Sequence, residues 1–226
     1  MKELIMIDIR FLIDTLQKQA DAMVQPASLL IVKKYGKDPF LILIGCLLSL
    51  RTRDQVSFSA SCRLFEVAKT PQAMLQLSDI EIQKMIYPVL YYRRKAGAIR
   101  LICQQLIEKY GGLVPRTFEE LMQLPGVGLK TASLVRAEAF DIPSLIVDTH
   151  VHRMSNRLGI VSTKTPEKTE RALRMIIPQE LWIAYSRVLL TWGQNICTPI
   201  GPKCSSCPLA PQFLGLCDQM GVLRSR

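Results

Sequence analysis

The sequence predicts an all-α protein, on three observations. Apolar residues recur at spacings of three and four through 4–22, 54–66 and 95–110, the period of a helix with one buried face. No stretch alternates with period two, as a half-buried strand would. Short polar or Pro/Gly punctuation separates the segments, at Lys37-Asp38-Pro39, Thr70-Pro71, Gly111-Gly112, Pro125-Gly126, Pro143, Thr165-Pro166 and Pro178. Roughly ten helices with short connections are therefore expected.

The start, MKELIMIDIRFLIDTL at 1–16, carries acidic side chains among the apolar ones and lacks a basic start followed by a clean apolar stretch and a small-residue cleavage site. No secretory signal is read there. The expected location is intracellular: cytoplasmic, and nucleoid-associated in a bacterium. The most apolar run, PFLILIGCLLSL at 39–50, has twelve residues. That is too short to cross a bilayer, so it reads as a buried helix, and no membrane association is expected. A chain of 226 residues, 49% hydrophobic and 21% charged, has enough apolar surface for a core and belongs with folded soluble proteins. Its net charge of +10 favours a polyanionic partner, because phosphates neutralised by Lys or Arg release counterions. Basic membrane-surface proteins share that charge. Arg51, Arg53, Arg93, Arg94 and Lys95, with Tyr91 and Tyr92 among them, read as a positive stripe with aromatic neighbours. A merely solvated basic loop is the plain alternative.

Residues 117–123 read as a short helix capped at its start, and 130–140 as a second helix. Between them lies Leu124-Pro125-Gly126-Val127-Gly128. Gly126 and Gly128 permit backbone conformations and close approaches that side chains would block. The bare N–H groups there, with those opening the next helix, can grip one DNA phosphate without reading sequence. Val127 is expected to pack inward and hold the two helices together. The alternative is an ordinary helix-to-helix turn, although the string L-P-G-V-G-x-K-T-A is more specific than Pro-Gly alone. Lys130 follows the turn directly. Beside a bound phosphate its amine would lie near the sugar carbon that carries the base, where a neutral amine is a nucleophile. Asp148 stands 18 positions later, ahead of another helix, where Asp is also a common N-cap. His150 and His152 are two apart on that helix. They point in different directions and read as structural or DNA-backbone contacts rather than a metal pair.

Cys46, Cys62 and Cys103 lie inside apolar segments and read as small buried hydrophobes. Cys197, Cys204, Cys207 and Cys217, spaced C-x6-C-x2-C-x9-C, read as a metal site in a reducing compartment. Spacing alone leaves zinc and a [4Fe–4S] cluster both open. The last 30 residues have little helical pattern, so their structure is expected to depend on the bound metal.

In LPGVGLKTA (124–132), VDTHVHR (147–153), LSLRTRDQ (48–55), YYRRKA (91–96) and the terminal cysteines, the chain resembles the helix-hairpin-helix DNA glycosylases, most closely the endonuclease III family. The resemblance spans nearly the whole chain in order. It implies two helical domains flanking a DNA-binding cleft. Residues 32–142 would form a six-helix barrel containing the hairpin at 117–140, and residues 1–31 plus 143–226 a domain closed by a C-terminal [4Fe–4S] loop. It implies a bifunctional glycosylase and abasic-site lyase that excises oxidised pyrimidines, flips the damaged base out of the duplex and acts on double-stranded DNA as a monomer. Lys130 would attack C1′ and form a Schiff base leading to β-elimination. Asp148, facing it across the cleft, would support the developing sugar cation and handle protons. Leu124, Gly126, Val127, Gly128, Arg53 and Arg93 would contact DNA. Lys203, in the loop between the first two of the four cysteines, reads either as a DNA-phosphate contact or as a plain exposed loop charge. Arg51 and Tyr91 match the two residues that fill the hole left by the flipped base, where well-known members carry Gln and Leu. Cys197, Cys204, Cys207 and Cys217 would hold the cluster, although the family's last interval is x5 and here it is x9. Readings kept beside this one are a mismatch-specific thymine/uracil glycosylase and a non-catalytic damage-binding module.

Overall fold

The computed structural model describes residues 8–226. Among these residues there are twelve α-helices, two short 3-10 helices and no strand. The chain divides into two compact units, one made of Pro26–Ile142 and the other of residues up to Gln25 with Pro143–Arg226. No helix among the described residues is long and apolar enough to cross a membrane.

The continuous unit holds α2 (Ala27–Tyr35), α3 (Pro39–Ser49), α4 (Asp54–Val67), α5 (Pro71–Leu75), α6 (Asp79–Ile86), α7 (Tyr92–Tyr110), α8 (Phe118–Leu121) and α9 (Leu129–Phe140). Helix α3 is its axis. Nine consecutive residues, Phe40 through Leu48, are buried, so helices pack around it on all sides. Gly45 is the point of closest approach, because a Cβ there would stand 2.1 Å from Ile31 Cδ1 on α2. Leu64 and Phe65 from α4, Met74, Ile82 and Ile86 from α5 and α6, Ile99 and Ile102 from α7, and Ala132 and Val135 from α9 complete one core. Helix starts are written in the sequence. Asp38 before Pro39 accepts from the Leu41 amide, Thr70 before Pro71 from Ala73, and Ser78 and Glu81 form a reciprocal capping box. The short α5 and α8 take the helix number past the roughly ten expected, and α7 begins three residues before position 95, with the basic run as its first turn.

In the other unit, α1 (Ile9–Ala20) buries Leu12, Ile13 and Leu16 against α12 (Trp182–Asn195). The expected first helix began at Leu4, which lies outside the described residues. Helix α10 (Thr149–Arg157) also packs on α12, and α11 (Pro166–Arg174) packs on α10. Gly193 permits the α10–α12 crossing, since a Cβ there would meet His150 Cβ at 2.8 Å. The Ser155 and Tyr185 hydroxyls share a buried 2.8 Å hydrogen bond across the same interface. From Ile196 to Arg226 the only helical element is one 3-10 turn, Cys204–Ser206.

Candidate functional site

The hairpin forms as α8, a glycine turn and α9. Thr117 caps α8, its hydroxyl accepting from the Glu120 amide at 3.3 Å. Gly126 has φ +77°, a left-handed conformation that costs other residues energy, and a Cβ there would lie 3.1 Å from Leu47 Cδ1. The Val127 amide then donates to the Leu124 carbonyl at 3.1 Å. Leu124 and Val127 are buried in the core of the continuous unit, so only their backbone is available to a ligand. Gly128 is different. Its backbone is extended, it is the N-cap of α9 with no side-chain cap, and a Cβ there would meet nothing within 4 Å. The chain itself does not need a glycine at 128. The open space suits an outside group approaching the first-turn amides, as a phosphate does. Lys130, in that first turn, is exposed. Its charge is felt at Cys46 on α3, whose thiol is pushed up to about 12 by burial first and Glu138 second, with Lys130 opposing.

Arg51 and Tyr91 are both exposed, and both hold left-handed backbone, with φ 55° and 58°. Arg53, Arg93 and Arg94 are exposed beside them, and Arg93 lies 5.5 Å over the Tyr92 ring. Lys95 does not belong to this stripe. It is buried at 7% exposure, because it begins the inward face of α7 with Ala96, Ile99 and Ile102. Cys62 also departs from its sequence reading. It is only half-buried, beside Lys34 and Tyr35, whereas Cys46 and Cys103 are fully enclosed.

Asp148 is the N-cap of α10. Its Oδ1 accepts from the amides of His150 at 2.8 Å and Val151 at 3.0 Å. The cap fixes the carboxylate whatever else it does. The two histidines part company as the helix geometry requires. His150 Nδ1 meets Arg153 at 3.1 Å, and His152 Nδ1 meets Thr169 Oγ1 at 2.6 Å.

Two residues the sequence reading passed over, Arg153 and Arg157, join α10 to the cysteine segment. Arg153 donates to the carbonyls of Cys197 (3.0 Å) and Gly193 (2.8 Å), and burial pushes its guanidinium below the usual value. Arg157 donates to Cys197 Sγ at 3.3 Å and to the carbonyls of Thr198 and Pro199 at 2.7 and 2.9 Å. Their position one turn apart on a single helix face was the available signal.

Cys197, Cys204, Cys207 and Cys217 all line one cavity, together with Arg157, Ile196, Lys203 and Ala210. Among the described residues no three His, Cys, Asp or Glu side chains are gathered closely enough to hold a single metal ion. The donor set nonetheless fits a thiolate-bound group. Burial, with the neighbouring cysteines adding to it, pushes Cys217 up to about 11 and Cys207 in the same direction, so neighbouring thiolates disfavour one another without a cation. Trp192 is fully buried, and its indole N–H has no acceptor in hydrogen-bonding geometry, yet it is close enough to Cys207 to favour the thiolate. A cluster-bound sulfur would give it an acceptor. Lys203 is exposed at the start of the 3-10 turn.

The chain matches the HhH-GPD superfamily of base excision DNA repair proteins over residues 44–179. It is 45% identical over 190 residues to endonuclease III of Thermotoga maritima, covering 82% of this chain and 89% of the relative. Its structure resembles that of a non-covalent endonuclease III–DNA complex, with TM-score 0.81 and 36% identity over 96% of this chain and 97% of the other. It also resembles a trapped endonuclease III–DNA covalent intermediate, with TM-score 0.75 and 34% identity over 95% and 97% of the two chains.

Proposed function

Since the chain belongs to the endonuclease III family and is a DNA glycosylase of base excision repair, we propose that it is bifunctional, removing oxidised pyrimidines from duplex DNA and then nicking the abasic site through Lys130. The observation that carries this reading is an exposed lysine in the first turn of α9, immediately after a glycine turn whose N-cap lacks a side-chain cap and where a Cβ would meet no atom within 4 Å. A phosphate held by those amides brings the adjoining deoxyribose to the amine.

In this reading the Lys130 amine attacks C1′ as the glycosidic bond breaks and the base departs with its electron pair. Loss of a proton from nitrogen and opening of the sugar ring give the Schiff base. Removal of a C2′ proton then expels the 3′ phosphate by β-elimination, and water releases the lysine. Asp148 supports the positive charge that grows on the sugar and takes part in the proton transfers. Arg51 and Tyr91 fill the space left by the flipped base, Arg51 by hydrogen bonds to the orphaned partner base and Tyr91 by stacking. Arg53, Arg93 and Lys203 contact phosphates. Cys197, Cys204, Cys207 and Cys217 hold a [4Fe–4S] cluster, whose contribution when bound is to cross-link a tail with little apolar core. Arg153, Arg157 and the Trp192 N–H surround its ligands.

Borohydride trapping on duplex DNA with an abasic site tests the proposal. A covalent adduct that disappears in Lys130→Ala is expected. Asp148→Asn, which keeps an N-cap acceptor, is expected to preserve the melting temperature while lowering single-turnover excision by about a hundredfold or more. Tight binding of abasic DNA with no adduct in the native protein would leave a damage-binding module instead. A panel of lesion duplexes then separates oxidised pyrimidines from thymine or uracil opposite guanine.

A further inference from the structure

Lys95 is an unusual core residue. It is 7% exposed on α7, among Ala96, Ile99 and Ile102. Burial lowers its ammonium to about 8, so an apolar residue of similar length would be the easier occupant. Its nitrogen does not lie idle. It donates to the carbonyls of Leu48 at 2.8 Å and Leu50 at 2.7 Å, both at the C-terminal end of α3, and meets Thr52 Oγ1 at 3.4 Å. Carbonyls at a helix end lack intrahelical partners, and here a cation satisfies two of them. The Thr52 hydroxyl in turn donates to Leu50 O at 3.3 Å and accepts from the Leu90 amide at 3.2 Å. From the other side, Arg63 on α4 donates to the carbonyls of Met85 at 2.8 Å and Tyr87 at 2.5 Å, fixing the start of the second loop.

These bonds join two loops that are 38 residues apart in sequence. Each loop carries one exposed side chain on left-handed backbone, Arg51 beside Thr52 and Tyr91 beside Leu90. Left-handed backbone at a non-glycine residue persists only where its surroundings over-determine it. The surroundings here are the Lys95–Thr52–Leu90 chain of hydrogen bonds.

We propose that Lys95 and Thr52 are positioning residues that hold Arg51 and Tyr91 as one two-pronged probe, so that both side chains enter the duplex in a single step at the flipped base. The proposal rests on the reading of Arg51 and Tyr91 as the residues that fill the vacated space. Neither Lys95 nor Thr52 need touch DNA. The clamp fixes where the prongs start, which lowers the entropy lost when they insert.

The test uses full-length protein loaded with its cluster, on duplex DNA carrying a lesion with 2-aminopurine opposite, whose fluorescence rises when it loses its stacking partners. Arg51→Ala and Tyr91→Ala are expected to lower single-turnover excision and the fluorescence rise. Lys95→Met and Thr52→Val are expected to lower both by about tenfold. Under the same conditions trapping on a single-stranded abasic oligonucleotide should change by less than about twofold. Thr52→Ser, which restores the hydroxyl, should recover native values. If Lys95→Met does not fold, Thr52→Val alone decides. Silent Arg51→Ala and Tyr91→Ala variants sink the probe reading and the clamp with it. Active prongs with silent Lys95→Met and Thr52→Val overturn the clamp alone. Equal losses on single-stranded and duplex substrates also overturn it, since they mark general damage to the fold.

Discussion

Two irregular segments hold the residues proposed for DNA chemistry and for cluster binding, and they are held in opposite ways. The glycine turn at 124–128 stands on the main core of its unit, with Leu124 and Val127 built into that core and Leu47 beneath Gly126. The cysteine segment from Cys197 to Cys217 buries only Pro202, Leu209 and Ala210 among its apolar residues outside the cysteines, and it is otherwise tied by backbone bonds and by Arg153 and Arg157. Packing fixes a shape without any ligand. A segment without a core needs a cross-link. The difference teaches that the glycine turn should be ready before any metal arrives, whereas the tail should not.

Removing a proposed cluster ligand should give the largest effect. In Cys207→Ser the absorbance at about 400 nm is expected to disappear, and amide protection across 197–226 should collapse toward that of an unfolded chain. Protection of α3 should stay near native. Loss of protection in Phe40–Leu48 to the same degree would break the comparison, because the turn would then depend on the metal after all.

The two glycines of the turn sharpen the comparison from its other side. Gly126→Ala places a side chain in left-handed backbone against Leu47, and is expected to cost about 1–2 kcal/mol of stability. Gly128→Ala meets no atom of the chain and has ordinary extended backbone, so its stability should fall by no more than about 0.5–1 kcal/mol, the cost of placing Ala at an N-cap. Its affinity for abasic duplex should nevertheless fall, by about tenfold, if a phosphate approaches there. Melting temperature and fluorescence anisotropy separate the two outcomes. A Gly128→Ala protein with native affinity would remove the phosphate from position 128. In both variants the cluster absorbance should be unchanged.

Much of this was legible in the sequence because short-range rules govern it. A fully apolar run bounded by Asp-Pro announces α3, and Thr117, Thr70 and Thr165 announce helix starts through hydrogen bonds that span three residues. The errors came where a residue's partner is distant. Lys95 sits in a basic run and reads as surface, but α7 turns it onto the same face as Ile99 and Ile102, and its acceptors are 45 and 47 residues away. Arg153 and Arg157 look like ordinary helix charges, yet they bind carbonyls and a sulfur some 40 residues downstream. Cys62 reads as a core thiol from its apolar neighbours, but its position on α4 turns it toward Lys34 and Tyr35. Periodicity predicts which face a residue takes; it does not say what stands opposite.

The smallest effect concerns the thiols of the continuous unit. Burial pushes Cys46 and Cys103 each from an ordinary value of 9.0 up to about 12. A thiol that keeps its proton longer when folded than when unfolded contributes stability that is intact below pH 9. That contribution declines as the pH rises toward 12, because only the unfolded chain ionises in that window. The thiolate is the reactive form, so at pH 8.5 iodoacetamide should leave Cys46 and Cys103 untouched in the folded protein, and label instead Cys62, which is only half-buried. The same pattern is expected in Cys207→Ser, because no residue of the cysteine segment belongs to the core around α3. Mass spectrometry of the labelled peptides reads this directly. Alkylation of Cys46 in Cys207→Ser at a rate close to that of Cys62 would mean that the core opens when the cluster is lost, and the ready-made turn above it would open as well.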